Sequence, residues 1–226
     1  MNKILIVHPS RERAELAYKV YNDTIFKSKE RDNIIYCLSL DIDDPQLTDY
    51  SFGLDLQFLS VENNTCIVDA VNRAYPYFLK NKDEISFVII LSDDMVLCDN
   101  WDIKLTEEFE KCGYDKAIQT TQPGGNPNLL TLPIAGYKFF FDYGTFYYPE
   151  YKSMFADNDM TQWAIKNKRY IRAPYIICPH LHPSINIPGR IEPDTTYHRE
   201  NSHEFAEIGR AIFKRRQKEG FPAYAE

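Results

Sequence analysis

The stretch Ile85-Ser86-Phe87-Val88-Ile89-Ile90-Leu91 runs directly into Ser92-Asp93-Asp94, and this stretch decides the class of fold. An apolar run of this length, rich in β-branched residues, predicts a central strand that is buried on both faces. Open α/β sheets place their ligand crevice at the carboxyl ends of such strands. Adjacent carboxylates repel each other there unless a cation or a shared proton compensates, and a divalent ion with a phosphorylated substrate is the usual compensation. The alternative for Ser92-Asp93-Asp94 is a polar turn.

The segments on either side of this strand alternate between helix and strand patterns. The order β-α-β-α-β in the N-terminal half predicts an α/β protein with a mixed, mostly parallel, Rossmann-like sheet flanked by helices. In the N-terminal half, strands are predicted at 3–7, 33–40 and 85–91. Helices are predicted from Ser10, the N-cap, to about residue 29 with Glu12 in the first turn, at 64–80 with Asn63 or Asn64 as the cap, and at 101–112 with Gly113 at the end. In the C-terminal half, strands are predicted near 130–135, 138–141 and 145–148 and at 169–178, and helices at 155–168 and 203–218.

Composition limits the classes of function. The 226 residues fit a single domain, with a nucleotide-binding half at 1–120 and a more irregular half at 121–226. A formal charge of −7 argues against a general nucleic-acid or membrane-surface binder. The five cysteines form no CxxC pair, and no apolar run is long enough for a signal sequence or a membrane span. We therefore expect reduced thiols and a cytoplasmic protein (in the host cytoplasm if the source is a virus).

Polar motifs follow the predicted strand ends and helix starts. They are Pro9-Ser10-Arg11-Glu12-Arg13, Asp41-Ile42-Asp43-Asp44-Pro45, Ser92-Asp93-Asp94, Phe155-Ala156-Asp157-Asn158-Asp159-Met160 and Pro179-His180-Leu181-His182-Pro183. A strand end followed by a helix N-terminus offers free N–H groups, and two arginines add positive charge, so the first motif is suited to a diphosphate. A carboxylate at a helix N-terminus near an acceptor hydroxyl is suited to general-base work.

In this order the motifs resemble those of GT-A-fold glycosyltransferases, closest to family 2 and to small bacteriophage-type members. The resemblance implies that Pro9, Ser10, Arg11 and Arg13 hold the diphosphate of a nucleotide-sugar and that Asp41 faces its base or ribose. It also implies that Asn72 lies near the nucleotide and that Asp93 bridges to the ribose or the metal shell. It implies that Asp94 and a late histidine hold Mn²⁺ or Mg²⁺. Alternate residues of an extended segment face opposite sides, so we expect only one of His180 and His182 to face the site, and we favour His182. It also implies that Asp157 is the general base of an inverting transfer.

The chain departs from the family pattern at two positions. Ser92 stands where the metal-binding motif usually begins with Asp, and Ala156 stands where the family has Glu before the catalytic Asp. The donor expected from the resemblance is a UDP-sugar, and the acceptor is a carbohydrate or another hydroxyl compound. Leu132-Pro133-Ile134-Ala135-Gly136 and Tyr143-Gly144-Thr145-Phe146-Tyr147-Tyr148 lie where such enzymes build the acceptor cleft.

Other functions fit parts of the pattern. A nucleotidyltransferase of similar layout would need Gly and Lys after the first strand, where His8-Pro9-Ser10-Arg11 has neither. A non-enzymatic module would use Cys178, His180 and His182 with another ligand for a structural zinc ion, although C-x-H-x-H is an uncommon spacing. A DNA acceptor could contact Lys214-Arg215-Arg216 and Lys218, but such a cluster also suits a helix C-terminus, and the acidic balance favours a smaller acceptor.

Overall fold

A computed structural model describes residues 3–51, 58–62 and 66–224 of the chain. Within these residues seven strands form one sheet in the order β3-β2-β1-β4-β6-β5-β7. β6 runs antiparallel to both of its neighbours, and the other pairs are parallel. The strands are β1 (Lys3–Ser10), β2 (Ile34–Asp41), β3 (Phe58–Glu62), β4 (Ile85–Ile90), β5 (Ala117–Thr121), β6 (Ile134–Gly136) and β7 (Tyr170–Ile177).

Helices cover both faces of this sheet. They are α1 (Ala14–Lys27), α2 (Ile67–Asn72), α3 (Tyr75–Asn81), α4 (Trp101–Cys112), α5 (Tyr137–Tyr143), α6 (Ala156–Lys166), α7 (Thr195–Glu200) and α8 (His203–Glu219). No helix in the described part of the chain has the length and apolar character needed to cross a bilayer. The predicted class, a mixed and mostly parallel α/β sheet flanked by helices, is confirmed.

The central strand β4 is buried along its whole length, as its apolar run predicts. Alternate residues contribute to different cores: Val88 and Ile90 pack with α2, α3, α5 and α6, whereas Phe87 and Ile89 pack with α1 and α4. The chain order reverses between β1 and β4, because β2 follows on one side of β1 and β4 lies on the other. A reversal of this kind opens a crevice at the carboxyl ends of the two strands.

The predicted helix at 64–80 is instead two short helices. α2 ends at Asn72 and α3 begins at Tyr75, with Cys66 as the N-cap of α2. Pro76 lies in the first turn of α3, where its missing N–H is tolerated, but inside one continuous helix its ring would clash with the carbonyl of Asn72. The predicted caps Asn63 and Asn64 lie outside the described residues.

The chain between residues 117 and 148 differs most from the prediction. β5 was not predicted, and the predicted strand at 138–141 lies within helix α5. Phe139, Phe140 and Tyr143 are buried at helical spacing, and Gly144 ends the helix in the left-handed conformation at φ 86°. The predicted strand at 145–148 is a loop. The apolar aromatic run resembles a strand in composition, but its buried positions follow a helical period.

Candidate active site

A pocket of about 330 Å³ opens at the carboxyl ends of β1 and β4, where the chain order reverses. The sequence-predicted site residues that line it are Pro9, Ser10, Arg11, Arg13, Asp41, Asp93, Asp94, Asp157 and His182. Asn72 is not among the lining residues. Its amide instead bonds to both the N–H and the carbonyl of Tyr147, at 2.7 Å each. Asn72 therefore shapes the loop that presents Tyr147 to the pocket.

Asp93 is the centre of a buried hydrogen-bond network on the β1 side of the pocket. Its Oδ1 lies 2.9 Å from His8 Nε2, and its Oδ2 accepts a bond of 3.1 Å from the Ser10 hydroxyl. The other ring nitrogen of His8 lies 2.6 Å from the Tyr36 hydroxyl, and Ser10 also bonds to the Tyr50 hydroxyl. Sequence reasoning placed Ser10 as a helix cap, whereas it is the last residue of β1 and joins β1 to Asp93.

The loop between β1 and α1 has little free hydrogen-bonding capacity. The N–H groups of Glu12, Arg13 and Ala14 donate to Asp44 Oδ2, the Tyr50 hydroxyl and Gln46 Oε1. These three N–H groups are therefore already bonded within the protein, and a diphosphate site at this helix start stays a prediction. Glu12 also precedes α1 rather than lying in its first turn, and its φ of 55° is in the left-handed region.

The two arginines of this loop are fixed by carboxylates. Arg11 donates to Asp41 Oδ2 at 2.8 Å and to Asp43 Oδ1 at 2.6 Å. Arg13 makes a two-bond contact with Asp194, at 2.6 and 2.7 Å, and its remaining terminal nitrogen lies 3.9 Å from Asp93 Oδ2. Both guanidinium groups line the pocket, and these carboxylates fix their orientation.

Asp94 is the ionised carboxylate at the end of β4. Burial opposes its ionisation, but the contacts with His180 and the hydroxyl of Ser92 lower the pKa of Asp94 to about 2. Ser92 Oγ donates to Asp94 Oδ1 at 2.6 Å, and His180 Nε2 lies 3.2 Å from Asp94 Oδ2. Ser92, which replaces the first acid of the family motif, thus orients the remaining carboxylate.

The segment after β7 brings both histidines to the pocket, contrary to the expectation that only one would face it. The backbone is held there by a bond of 2.6 Å from the Leu181 N–H to the Asp94 carbonyl. The ring of His182 lies between the rings of His180 and Tyr197, with centroids at 5.1 and 5.3 Å. His182 Nδ1 is 2.7 Å from the Ser184 hydroxyl, so His180, rather than His182, contacts Asp94.

The oxygen and nitrogen donors at this point fit a divalent ion. The 3.2 Å between Asp94 Oδ2 and His180 Nε2 is close to the spacing of about 3 Å expected for neighbouring ligands on one ion with bonds of about 2.1 Å. In the described part of the chain, however, no three His, Cys, Asp or Glu side chains are arranged to hold a metal. A protein-only zinc site built from Cys178, His180 and His182 is therefore not formed, and an ion at Asp94 would need ligands from a bound substrate.

Two acidic residues at the start of α6 have different surroundings. Asp159 is fully buried and accepts bonds from Tyr143, Tyr151 and two nitrogens of Arg216, at 2.8 to 3.1 Å. Asp157 lines the pocket, and burial raises its pKa to about 6, although the backbone N–H groups of Asn158 and of Asp157 itself act in the opposite direction. Burial thus has a larger effect on the pKa of Asp157 than the N–H groups at the helix start.

The backbone before Asp157 is constrained. Phe155, the N-cap of α6, has a φ of 76°, which is unusual for a bulky residue. Helix α8 packs closely against it: a Cβ on Gly209 would lie 2.3 Å from the Met154 carbonyl oxygen. The ring of Phe155 also lies 5.7 Å from that of Phe213. A side chain at position 209 would clash with the backbone of Met154, so the glycine permits α8 to pack closely against the start of α6.

Sequence reasoning missed helix α7, which adds Thr196, Tyr197, Arg199 and Glu200 to the pocket lining. Asp194 caps the helix by accepting from the Tyr197 N–H at 2.7 Å. An Asp followed by two Thr is an N-cap signal and could have indicated this helix. Arg199 has its terminal nitrogen 3.7 Å from Asp41 Oδ2, which makes it a third arginine of the site.

The chain is similar in fold to solved structures that hold nucleotide-sugars. TarS residues 1–349 from S. aureus, in complex with UDP-GlcNAc, aligns with a TM-score of 0.66 and 15% identity over 93% of this chain and 65% of that one. The mannosyltransferase PcManGT from Pyrobaculum calidifontis, in complex with GDP-Man and Mn²⁺, aligns with a TM-score of 0.61 and 11% identity over 96% and 75%. Against another TarS crystal structure the TM-score is 0.60, with 15% identity over 79% of this chain.

The protein therefore has a GT-A-like fold, the α/β class in which these glycosyltransferase structures are built. The chain spans 36% of the longer TarS chain and about two thirds of TarS 1–349. No protein-family model matches the sequence, and no curated protein matches it either.

Proposed function

We propose that this protein is a glycosyltransferase that moves a sugar from a nucleotide-sugar, with a UDP-sugar favoured, to a hydroxyl acceptor. The supporting observation is one pocket lined by two carboxylates with opposite pKa shifts. Asp94 has a pKa of about 2 beside His180, whereas Asp157 has a pKa of about 6. When two environments separate the pKa values of two carboxyl groups in this way, the group with the low pKa suits a permanent charge and the group with the high pKa suits proton transfer.

The nucleotide would lie along β1 and β2. Asp41, held by Arg11 and approached by Arg199, would accept a hydrogen bond from the base or the ribose. Arg13 directs its guanidinium towards Asp93 and Asp194, and its positive charge would favour the diphosphate. Pro9, Ser10 and Asp93 would shape this wall through the buried His8 network rather than through free backbone donors.

Asp94 and His180 would hold a divalent ion, Mn²⁺ or Mg²⁺, together with oxygens of the donor. His182 lies in ring contact with His180, and partial burial lowers its pKa. His182 would then support His180 through this ring contact. The ion, when bound, neutralises charge on the leaving diphosphate, which is the largest electrostatic demand of the transfer.

Asp157 would accept the proton of the acceptor hydroxyl while that oxygen attacks the anomeric carbon of the donor sugar, giving an inverting, single-displacement transfer. A pKa of about 6 leaves roughly nine tenths of the carboxyl ionised at pH 7, and a general base with a pKa close to the working pH is the most effective. Tyr147, Met154 and Phe155 supply apolar and aromatic surface beside Asp157, which suits a carbohydrate or another hydroxyl acceptor.

Binding is tested with a thermal-shift panel of UDP-, GDP- and other nucleotide-sugars, with and without Mn²⁺. We expect a UDP-sugar with Mn²⁺ to raise the Tm of the wild type, and the added effect of Mn²⁺ to be lost in Asp94→Asn. Asp83→Asn, at a side chain that is 92% exposed, is the matched control and should behave as the wild type. No stabilisation by any donor, with or without metal, would contradict the proposal. Release of pyrophosphate from a nucleoside triphosphate would instead indicate a nucleotidyltransferase.

A further inference from the structure

Glu200 is the one residue of helix α7 that the fold buries, and it lines the pocket. None of the six residues of this helix is aliphatic, and Glu200 is only 8% exposed. A helix at the surface normally turns an apolar side chain to the interior, because an ionised carboxyl group loses its hydration there. A glutamate at the single buried position of α7 therefore has no explanation in apolar packing.

The two oxygens of the Glu200 carboxylate have different surroundings. Oε1 accepts a bond of 3.0 Å from Arg199 Nε, whereas Oε2 is buried without a hydrogen-bond partner in the described part of the chain. Burial raises the pKa of Glu200; the charge of Arg199, the Ile67 N–H and the Ser153 hydroxyl favour the ionised form, but none of them bonds to Oε2. A buried acceptor without a partner costs free energy, and a ligand that donates to it recovers that cost.

The start of α7 is fixed to the loop between β1 and α1. Asp194, the N-cap of α7, holds Arg13 by two bonds, and the Thr196 hydroxyl donates to the Arg11 carbonyl at 2.9 Å. Glu200 follows Asp194 by six residues, which places it about 9 Å further along the helix. A ligand with its diphosphate at Arg13 would therefore have its ribose or its transferred sugar, rather than its phosphates, within reach of Glu200.

We propose that Glu200 is a specificity-determining residue, and that its Oε2 accepts a hydrogen bond from a hydroxyl group of the nucleotide-sugar; this inference rests on the proposed function. An ionised carboxylate can only accept hydrogen bonds, so it selects a donor group and repels phosphate oxygens. The hydroxyl groups of the ribose and of the transferred sugar are donors of this kind. A site with a buried acceptor rejects an analogue without the matching hydroxyl, because the acceptor then stays unpaired.

The test is titration calorimetry of the full chain with Mn²⁺ and two probes, UDP and the UDP-sugar that stabilises the wild type most. Glu200→Met keeps the length of the side chain but has no oxygen, so its affinity for the UDP-sugar should fall about 10- to 100-fold. Glu200→Gln keeps an acceptor oxygen and should lose less. Glu204→Gln, at an exposed position of α8, is the matched control and should bind as the wild type does. Weaker binding of both probes assigns the hydroxyl to the ribose, and weaker binding of the UDP-sugar alone assigns it to the transferred sugar.

The Tm of the ligand-free protein distinguishes this role from a structural one. Glu200→Met removes a buried charge that has one unpaired oxygen, and replacing such a group by an apolar side chain of similar size is often neutral or stabilising. We therefore expect a Tm at or above that of the wild type together with the weaker binding. Glu200→Gln gives the same comparison if Glu200→Met folds poorly. A Tm that falls in both variants would show that Glu200 holds the fold together, and would overturn the proposal.

The same measurements separate this inference from the proposed function. If the wild type binds a UDP-sugar and Glu200→Met binds it as tightly, only the role of Glu200 is wrong. If the wild type binds none of the nucleotide-sugars, the proposed function fails and the role of Glu200 fails with it.

Discussion

The two walls of the pocket are built in opposite ways. On the donor wall, formed by β1, β2 and β4, nearly every polar side chain is paired with another, as in the chain of contacts from Tyr36 through His8 and Asp93 to Ser10. On the acceptor wall, formed by the residues around α6, Asp157 lies among Tyr147, Met154 and Phe155. In the proposed reaction the paired wall would be organised in advance for a charged ligand, and the less polar wall would keep the Asp157 carboxyl ready for proton transfer.

The largest expected effect comes from the acceptor wall. Asp157→Asn removes the proposed base without changing the shape of the side chain, so the transfer rate should fall about 10²- to 10⁴-fold. Donor binding should stay within a factor of about two, because the donor wall is untouched. Steady-state rates and the donor-induced thermal shift measure the two effects, with Asp83→Asn as the control. A variant that retains the full transfer rate would exclude Asp157 as the base.

The support of the acceptor wall can be broken separately. Arg216→Met leaves Asp159 buried without its guanidinium, which should cost about 3–5 kcal/mol. For a chain of this length, this corresponds to a fall in Tm of roughly 6–20 °C by calorimetry. The neighbouring Arg215→Met is the matched control, because Arg215 pairs with Glu150 at the surface and such pairs contribute about 0–1 kcal/mol. Equal losses in the two variants would show that burial of the Arg216 pair is unimportant.

The metal assignment beside Asp94 is tested by comparing the two histidines that follow β7. His180→Ala removes the side chain beside Asp94 and should weaken Mn²⁺-dependent donor binding about 10- to 100-fold. His182→Ala should weaken it less, by about tenfold or below, because its ring contacts His180 rather than Asp94. Titration calorimetry with a UDP-sugar at fixed Mn²⁺ gives both values. A larger effect for His182→Ala would restore the assignment that the sequence favoured.

The smallest predicted effect is the dependence of the rate on pH. The Asp157 carboxyl must be ionised to accept a proton, and burial raises its pKa from 3.8 to about 6. Activity should therefore be nearly complete above pH 7 and fall about tenfold for each pH unit well below 6, measured as kcat/KM. If kcat/KM instead falls only near pH 4, the acceptor wall does not raise the pKa of Asp157.

The parts of the fold that sequence could predict are those governed by one strong period. β4 is buried on both faces as its apolar run requires, and α4 ends at Gly113 as predicted, because Gly113 takes a φ of 91°. Residues 137–148 were predicted wrongly as strands because the prediction followed their aromatic composition. The buried residues Phe139, Phe140 and Tyr143 instead have the spacing of a helix, α5. Pro76 is a signal for the break between α2 and α3, but the predicted helix at 64–80 ran through it.

The site residues show a similar division. Motifs near strand ends and helix starts, such as those of Arg11, Asp41 and Asp94, pointed to one crevice, and these residues do line one pocket. Arg199 and the contact of His180 with Asp94 depend on how α7 and the segment after β7 cross the sheet. No local pattern in residues 178–200 specifies the course of the chain from β7 to α7, so the sequence does not predict these contacts.

The contacts between the β1–α1 loop and the start of α7 also limit the order in which this protein can fold during its synthesis on the ribosome. Arg13 is held by Asp194, and the Arg11 carbonyl accepts from Thr196, across 181 and 185 residues of sequence. The sheet around β1 and β4 can begin to form while the chain is still being made, but these contacts cannot form until α7 has emerged. Contacts of such long range form late. In a nascent chain the pocket would therefore stay open on this side, and ligand binding would begin only after α7 is in place.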